Sequence, residues 1–493
     1  MPLTDVAAFS QALTGPTMAM AARGLRVDDE LRRMRLQLLT TRAAELQVHA
    51  NALGLPILQA ERQRLTGRHL FYPRVNKKQF GKPALIEWVS QFGVAPDRAK
   101  RALKAVLVRY LRLQNVFWQV NLGSPEQLCD LFFRALRLPK RTNDGHETVD
   151  EEALQSLVAL DTSGLVLHAL RYGKLATMAE IYERIAPAPD GRIRTVQNPA
   201  GTYTFRFSHK EAFYWPHSTN LVNLPNVEAK RDPLYSVRDC IVPDKGRVFL
   251  EADLSAADSR SVACLSDDEM LLQMFREGRD VHKFTAAGVL GVEESAVTKT
   301  QRDVIGKVTR HAGSFGEGWN SLMRRINGMA DLTGLTATPK QAKAWTTNFQ
   351  RLHPNLDTVW WNRVEQILLA GKPMVAYTGA RCNFYPRIDP ETGALDAESL
   401  RAAVAWEPQY NTSRLAKEAL LAMFQGERGS GWRVLLDNHD AVLIDVERAR
   451  VGAAARALKQ AMEREIVVNG HKLTIPSEVF IMRERWSHKE RLL

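Results

Sequence analysis

Cysteine is scarce in this chain. The four in 493 residues, Cys129, Cys240, Cys264 and Cys382, lie far apart and form no Cys-x-x-Cys pair. That excludes a disulfide-stapled scaffold and a cysteine zinc site, and it implies a reducing compartment, the cytoplasm. No apolar run approaches the roughly 20 residues of a membrane span. The start, Met-Pro-Leu-Thr-Asp, lacks the basic residues and apolar stretch of a secretory signal. Internal repeats and low-complexity tracts are also missing. What remains is an ordinary globular composition, on a chain too long for one compact core.

Charge is plentiful but uneven. Lys and Arg exceed Asp and Glu by 67 − 55 = 12. Between Glu61 and Arg112 there are 13 basic residues against 3 acids, a local excess of 10. Phe71, Tyr72, Phe80 and Trp88 interleave with these cations, and Asp97 to Gln114 reads as a basic amphipathic helix. A basic stripe with aromatics is a footprint for a phosphate backbone. It names a class of partner and no chemistry.

The chain alternates in character. Leu13 to Leu53 has helical spacing, with Gly24 to Asp28 as a break between two helices. Ser124-Pro125 opens a further helix in the manner of a cap followed by a proline at the first helical position. A helix pair spans Asp150 to about Ile185. From Arg192 to Asn226 the pattern turns β-like and polar, residues 262 to about 370 are helical, and the last hundred mix helix and strand. This order predicts an active-site sheet interrupted by a long helical insertion.

Three stretches carry the chemistry. In the first, Arg247-Val-Phe-Leu-Glu-Ala-Asp253, an apolar β-prone run ends in an acid, followed by Asp258 and Arg260. Alone it reads as a surface strand passing into a capped helix. The second is Val434-Leu-Leu-Asp-Asn-His-Asp-Ala-Val-Leu-Ile-Asp445, a tight hairpin with Asp440 at its tip. If that hairpin lies beside the Asp253 strand, about 4.8 Å away, the two carboxylates repel unless a cation separates them. Oxygen ligands of this kind favour Mg²⁺, and two ions would serve an in-line phosphoryl transfer. The third stretch, Arg302 to Trp319, places Lys307, His311, Phe315 and Trp319 four apart, on one face of a helix. A cation there can meet phosphate charge, and an aromatic ring can support a base or sugar. Gly313, Gly316 and Gly318 suit close approach of a substrate.

In this order the three stretches resemble the polymerase motifs of family A, the DNA polymerase I-like DNA polymerases. Further segments match: Asn121 to Leu128, Arg238 to Gly246, Gly278 to His282, Thr378 to Arg381, Pro408-Gln409, and Ile475-Pro476 with Trp486. The resemblance runs from about Pro16 to the end. It implies an α+β right-hand polymerase fold with a helical thumb, an antiparallel-sheet palm and helical fingers. The implied divisions are N-terminal helices over 1–55, a basic DNA-binding insertion over 56–117 and a thumb over 118–190. The palm then covers 191–262 and 401–493, and the fingers 263–400.

The resemblance also assigns residues. Asp253, Asp440 and the backbone carbonyl of Leu254 would bind two Mg²⁺ ions, with Mn²⁺ able to substitute. His282 and Lys307 would grip the triphosphate of a dNTP. His311 and Phe315 would take the two aromatic positions of the fingers helix, and Asp258 would guard the sugar. Arg206, Arg381, Gln409 and His439 would contact primer-template DNA, and Lys100, Arg101 and Lys104 in the basic insertion would do so as well. The implied enzyme is a monomer without membrane attachment, found in a host cytoplasm if phage-encoded.

The sequence departs from the family pattern in places. Asp258 stands where a Glu is usual, one methylene shorter. Ala441 replaces the Glu that usually follows the second aspartate. The fingers helix has two registers. In the preferred one Lys307 is the family lysine, and Arg302 falls one residue short of the preceding arginine position. In the other His311 replaces the lysine, and Phe315 and Trp319 are the aromatics. No Asp-x-Glu exonuclease signature precedes the thumb segment, so proofreading in cis is not expected. Two further readings compete: an RNA polymerase of the single-subunit type, and a DNA-binding scaffold without activity.

Overall fold

A computed structural model describes residues 6–66, 119–210, 218–225 and 232–493. Lys100, Arg101 and Lys104, with most of the basic stretch around them, lie outside the described residues. The chain divides into two compact units, residues 1–32 with 184–493, and residues 33–183. Helix and strand alternate along it as an α+β protein. No helix among the described residues is long and apolar enough to cross a membrane.

The larger unit is organised on a five-stranded antiparallel sheet. Its strands are β1 (Arg247–Leu254), β2 (Trp432–Asn438), β3 (Ala441–Glu447), β4 (Ser477–Met482) and β5 (Glu490–Arg491), in the spatial order β2-β3-β1-β4-β5. The central strand shows why the sequence folds this way. Val248, Leu250, Ala252 and Leu254 alternate into the main apolar core, as a period of two demands. Phe249, Glu251 and Asp253 occupy the other face. Glu251 is 0% exposed there. Trp486 Nε1 donates to it at 2.8 Å, and Lys489 forms an ion pair with it. These bonds satisfy a carboxylate that would otherwise be costly to bury.

Between β1 and β2 the chain makes the expected helical insertion. It contains α1 (Ala257–Leu265), α2 (Val281–Leu290), α3 (Lys307–Ser314) and the long α4 (Ala397–Gln425). Helix α4 packs on the β2 side of the sheet, and the helix Val451–Met462 packs against β1 and β4.

The break at Gly24 to Asp28 separates the helices Thr14–Arg23 and Asp29–Thr66 as expected, and it also contains a strand, Leu25–Val27, paired with Arg192–Ile193 and with Ile241–Val242. Leu25 and Val27 are buried while Arg26 is exposed. Gly24 has φ +62, and a Cβ on it would meet the Ile193 carbonyl oxygen at 2.6 Å. A glycine read as a helix breaker is therefore there for close strand approach. One expectation fails, the single helix face through Trp319. Helix α3 stops at Ser314, Gly316 turns with φ +71, and Trp319 opens a separate helix, Trp319–Gly328. Its ring faces the Lys343 ammonium, 4.7 Å away.

The smaller unit is helical. The Ser124 hydroxyl accepts from the Gln127 N–H at 3.4 Å, and Pro125 takes the first helical position. Phe132, Leu157, Leu165 and Val166, each 0% exposed, form the centre of its core.

Candidate active site

The register of β3 on β1 creates the site. Ala441 pairs with Asp253, so the hairpin turn that carries Asp440 sits beside the end of β1. The Leu254 N–H donates to the Asp440 carbonyl at 3.1 Å. Burial pushes the Asp253 carboxyl up to about 7, and the charges of Asp440 and Glu251 add to this. The Asp440 carboxyl is also raised, by burial and then by Asp258. Lys307 and Arg206 oppose the rise at Asp440, while Lys489 and Lys307 oppose it at Asp253.

These two acids repel each other in a partly dry place, which has a consequence for stability. The folded value of Asp253 lies above its ordinary value of 3.8, so folding disfavours the charged form. Stability without divalent cation is therefore lost as pH rises from about 4 to about 7. Asp253→Asn should melt higher than the wild type in EDTA. The difference should be close to nil near pH 4, grow to about pH 7 and level off above it. A pH series of melting curves checks this, and a variant that melts no higher at pH 8 contradicts it.

The backbone around the acids is strained. Phe205, Ala256 and His439 have φ of +63, +51 and +66, left-handed values without glycine. Each costs on the order of 1–2 kcal/mol. Phe205 precedes Arg206, Ala256 lies between Asp253 and Asp258, and His439 precedes Asp440. Such strain persists where the surroundings over-determine it, as at functional sites.

Asp258 projects from the first turn of α1. Its Oδ1 accepts the Thr412 hydroxyl at 2.7 Å, and its Oδ2 lies 3.5 Å from Arg206 Nη2. The charge of Arg206 also reaches Asp440, His311 and His439, and together with burial it holds both imidazoles below their usual range. The structure therefore brings Asp253, Asp258, Asp440, Arg206, His439, Lys307 and His311 into one electrostatic neighbourhood. Arg381 and Gln409 stand outside its hydrogen-bonded network. Arg381 is exposed on a short hairpin with Met374–Val375, and Gln409 is half-buried on α4.

A second cluster adjoins the first. His282 sits at the N-terminus of α2, where the Asp280 side chain accepts from the His282 and Lys283 N–H groups. Its Nδ1 is buried with no hydrogen-bond partner among the described residues. Burial, then the charges of Arg310, Arg302 and Lys307, lower its pKa to about 4. The imidazole thus faces the charges of Arg310, Arg302 and Lys307, while the Asp280 carboxylate caps the helix and opposes them.

A π-helical turn, Arg302–Gly306, lies just before Lys307. A π turn inserts one residue into the helical count. The charges of Arg302 and Lys307 both reach His282, and Arg302 itself pairs with Asp280 and Asp303. His311 is exposed and lies edge-on to Phe315, with ring centroids 5.2 Å apart. Phe315 is 7% exposed and belongs to the core beneath it.

The glycines do different work from that expected. A Cβ on Gly313 would meet the Phe349 ring at 2.2 Å, and one on Gly316 would meet the Trp361 ring at 2.6 Å. Both serve packing inside the protein. Gly318 has no heavy atom within 4 Å of such a Cβ.

Sequence reasoning missed Thr412 and Arg310. Thr412 reaches Asp258 across 154 positions, and no local pattern marks it. Arg310 is 1% exposed and bonds Thr285 and His353, each at 2.8 Å. Its place three residues after Lys307 was the only signal.

The chain is similar to known proteins in sequence and in fold. The model of DNA polymerase family A matches residues 99–487. DNA polymerase I of Mycobacterium bovis is 28% identical over 412 residues, covering 81% of this chain and 41% of that protein. The thermostable DNA polymerase I of Thermus aquaticus is 27% identical over 379 residues, covering 74% of this chain and 42% of that protein. The chain thus spans less than half the length of these relatives. The solved POL domain of Pol1 from M. smegmatis, in complex with DNA primer-template and dNTP, is alike with a TM-score of 0.71 at 20% identity. That likeness covers 97% of this chain and 70% of the other. The fold is therefore the α+β right-hand polymerase class that the motifs imply. With the family model matched over most of its length, and with Asp253 near the end of β1 and Asp440 in the adjoining hairpin turn, this chain belongs to DNA polymerase family A.

Proposed function

We propose that this chain is the polymerising part of a DNA-directed DNA polymerase, extending a primer 3′-hydroxyl with dNTPs along a template. The observation that carries this reading is the β1–β3 register, which sets Asp253 and Asp440 side by side in a chain of this family. The M. smegmatis relative was solved with DNA primer-template and dNTP, the substrates proposed here.

The donors suit a hard divalent cation. Two partly buried carboxylates, both raised by burial and negative neighbours, lie next to the Leu254 backbone. Among the described residues no group of three or more His, Cys, Asp or Glu could hold a metal. Two carboxylates completed by substrate phosphates and water suit Mg²⁺. Asp253, Asp440 and the Leu254 carbonyl would hold two such ions, and Mn²⁺ would substitute. When bound, the ions would activate the primer hydroxyl and neutralise charge on the leaving oxygen.

The chain's own groups do the rest. His282, Arg302 and Lys307 bind the triphosphate, and Lys307 stands where charge develops. Asp258 and His311 bound the sugar, with Phe315 beneath. Arg206 and His439 face the primer terminus, and Arg381 and Gln409 face the template. Lys100, Arg101 and Lys104 would add backbone contacts. Residues 191–262 with 401–493 act as the palm, 263–400 as the fingers and 118–190 as the thumb of a monomer.

Primer extension with dNTPs or rNTPs tests the reading. The wild type should extend with dNTPs and discriminate against rNTPs. Asp258→Ala should lower the dNTP-to-rNTP ratio of kcat/KM by about tenfold or more, equivalent to about 1.4 kcal/mol. A wild type that prefers rNTPs would instead be an RNA polymerase. Tight, salt-sensitive DNA binding without synthesis would mark an inactive scaffold.

A further inference from the structure

One face of α4 is not used by the reaction proposed above. Trp406, Tyr410, Ser413 and Lys417 recur at spacings of four, three and four, so they share a helix face. All four close on the same short segment, residues 199–206. Trp406 Nε1 donates to the Tyr203 carbonyl at 2.9 Å. The Tyr410 ring lies edge-on to Phe205, with centroids 5.8 Å apart. Ser413 Oγ donates to the Phe205 carbonyl at 2.8 Å. Lys417 Nζ donates to the Pro199 carbonyl at 2.5 Å and to the same Phe205 carbonyl.

Lys417 is 1% exposed. Its ammonium lies 5.2 Å from the Phe205 ring and 5.0 Å from the Phe207 ring. Its hydrogen bonds go to main-chain carbonyls, and the charge of Asp437 on β2 supports it from further off. Burying an ammonium this deeply is expensive, and a surface lysine would serve packing as well. What it holds is therefore informative.

The segment it holds is a closed turn. The Phe205 N–H donates to the Thr202 carbonyl at 3.0 Å, and the Arg206 N–H to Thr202 Oγ1 at 2.9 Å. Phe205 is the left-handed residue of this turn. Its carbonyl receives both donors from α4, and the next side chain is Arg206. The guanidinium of Arg206 lies 3.5 Å from Asp258, and its Nε has no partner among the described residues. Thr412, one residue before Ser413, holds Asp258 from the same helix. A single rigid element thus sets both members of the Arg206–Asp258 pair.

We propose that Lys417, with Ser413, is a positioning residue: by clamping the Phe205 carbonyl it keeps the 199–206 turn left-handed and aims Arg206 at the primer terminus beside Asp258 and Asp440. This rests on the polymerase reading for what Arg206 touches. Lys417 itself touches no substrate.

A double-mutant cycle of Lys417→Met and Arg206→Ala tests it, read as primer-extension kcat and KM, primer-template affinity by fluorescence anisotropy, and melting temperature. With Arg206 present, Lys417→Met should lower kcat/KM by roughly tenfold or more. With Arg206 already alanine it should change kcat/KM by less than about twofold, because contacting residues couple. Ser413→Ala should show the same coupling with a smaller loss, and it decides the matter if Lys417→Met does not fold. Equal losses in both backgrounds, or a loss that merely tracks the folded fraction, would overturn the proposal. If the wild type extends no primer, the polymerase reading falls. The same cycle in primer-template affinity then decides whether Lys417 acts through Arg206.

Discussion

Asp440→Ala should reduce the rate of nucleotide addition by about 10³-fold or more, a barrier increase of about 4 kcal/mol, without loss of fold. Asp440 sits in a hairpin turn whose backbone is held by its neighbours. The Asn438–Ala441 pairing and the Leu254 N–H bond do not involve its side chain. The carboxylate contributes repulsion to the folded state, since it lies by Asp253 and Asp258. Removing it should leave the melting temperature in EDTA equal or higher, while the stabilisation of the wild type by Mg²⁺ should largely vanish. Single-turnover extension together with melting curves with and without Mg²⁺ separates these effects. Undiminished synthesis by the variant would remove Asp440 from the site and the two-carboxylate reading with it.

The second large effect is expected at a residue with no side chain. Gly306 lies in the π-helical turn before Lys307, against helix α2. A Cβ there would stand 2.0 Å from the His282 carbonyl oxygen, 3.0 Å from its carbon and 3.1 Å from the Ala286 Cβ. The first two are main-chain atoms, so no side-chain rotation relieves the clash. The elements carrying Lys307 and His282 must move apart. Gly306→Ala should destabilise the chain by about 3 kcal/mol, at the upper end of overpacking costs. It should also raise KM for dNTP, because His282 and Lys307, proposed to bind the triphosphate, stand on the two sides of that contact. Gly318→Ala is the control. Its φ is −71 and no atom lies within 4 Å of an added Cβ, so stability should change little. Denaturant melts of the two variants with dNTP titrations give the answer. A Gly306→Ala protein as stable as Gly318→Ala would refute the argument.

Both predictions concern residues close in sequence to the recognised motifs, yet they differ in how they could be foreseen. Asp440 was readable from two apolar runs around Asn-His-Asp, because a hairpin is a local structure with a local pattern. Asp253 was readable as the acid that ends an apolar, β-prone run. Gly306 was not, since its importance depends on a helix whose contact with it no spacing reveals. Gly313 and Gly316 show the same limit from the other side. They looked like room for a substrate, and their space is taken by Phe349 and Trp361. Trp319 followed a spacing of four correctly, but the helix ended at Ser314 and placed it elsewhere.

By itself, the sequence determined the strand ending in Asp253, the hairpin tip at Asp440, the helical insertion between them and the basic helix position of Lys307. Each depends on a period of two or of 3.6, or on turn chemistry, within some ten consecutive residues. Tertiary structure alone decided the rest. It set the β1–β3 register that pairs Ala441 with Asp253 and the π turn just before Lys307. It also set the α4 face that joins Lys417 to Phe205 across 212 positions and Thr412 to Asp258 across 154. The physical reason is range. Backbone periodicity is written into neighbouring residues, whereas hydrogen bonds between distant segments exist only after packing has excluded water and brought the partners together.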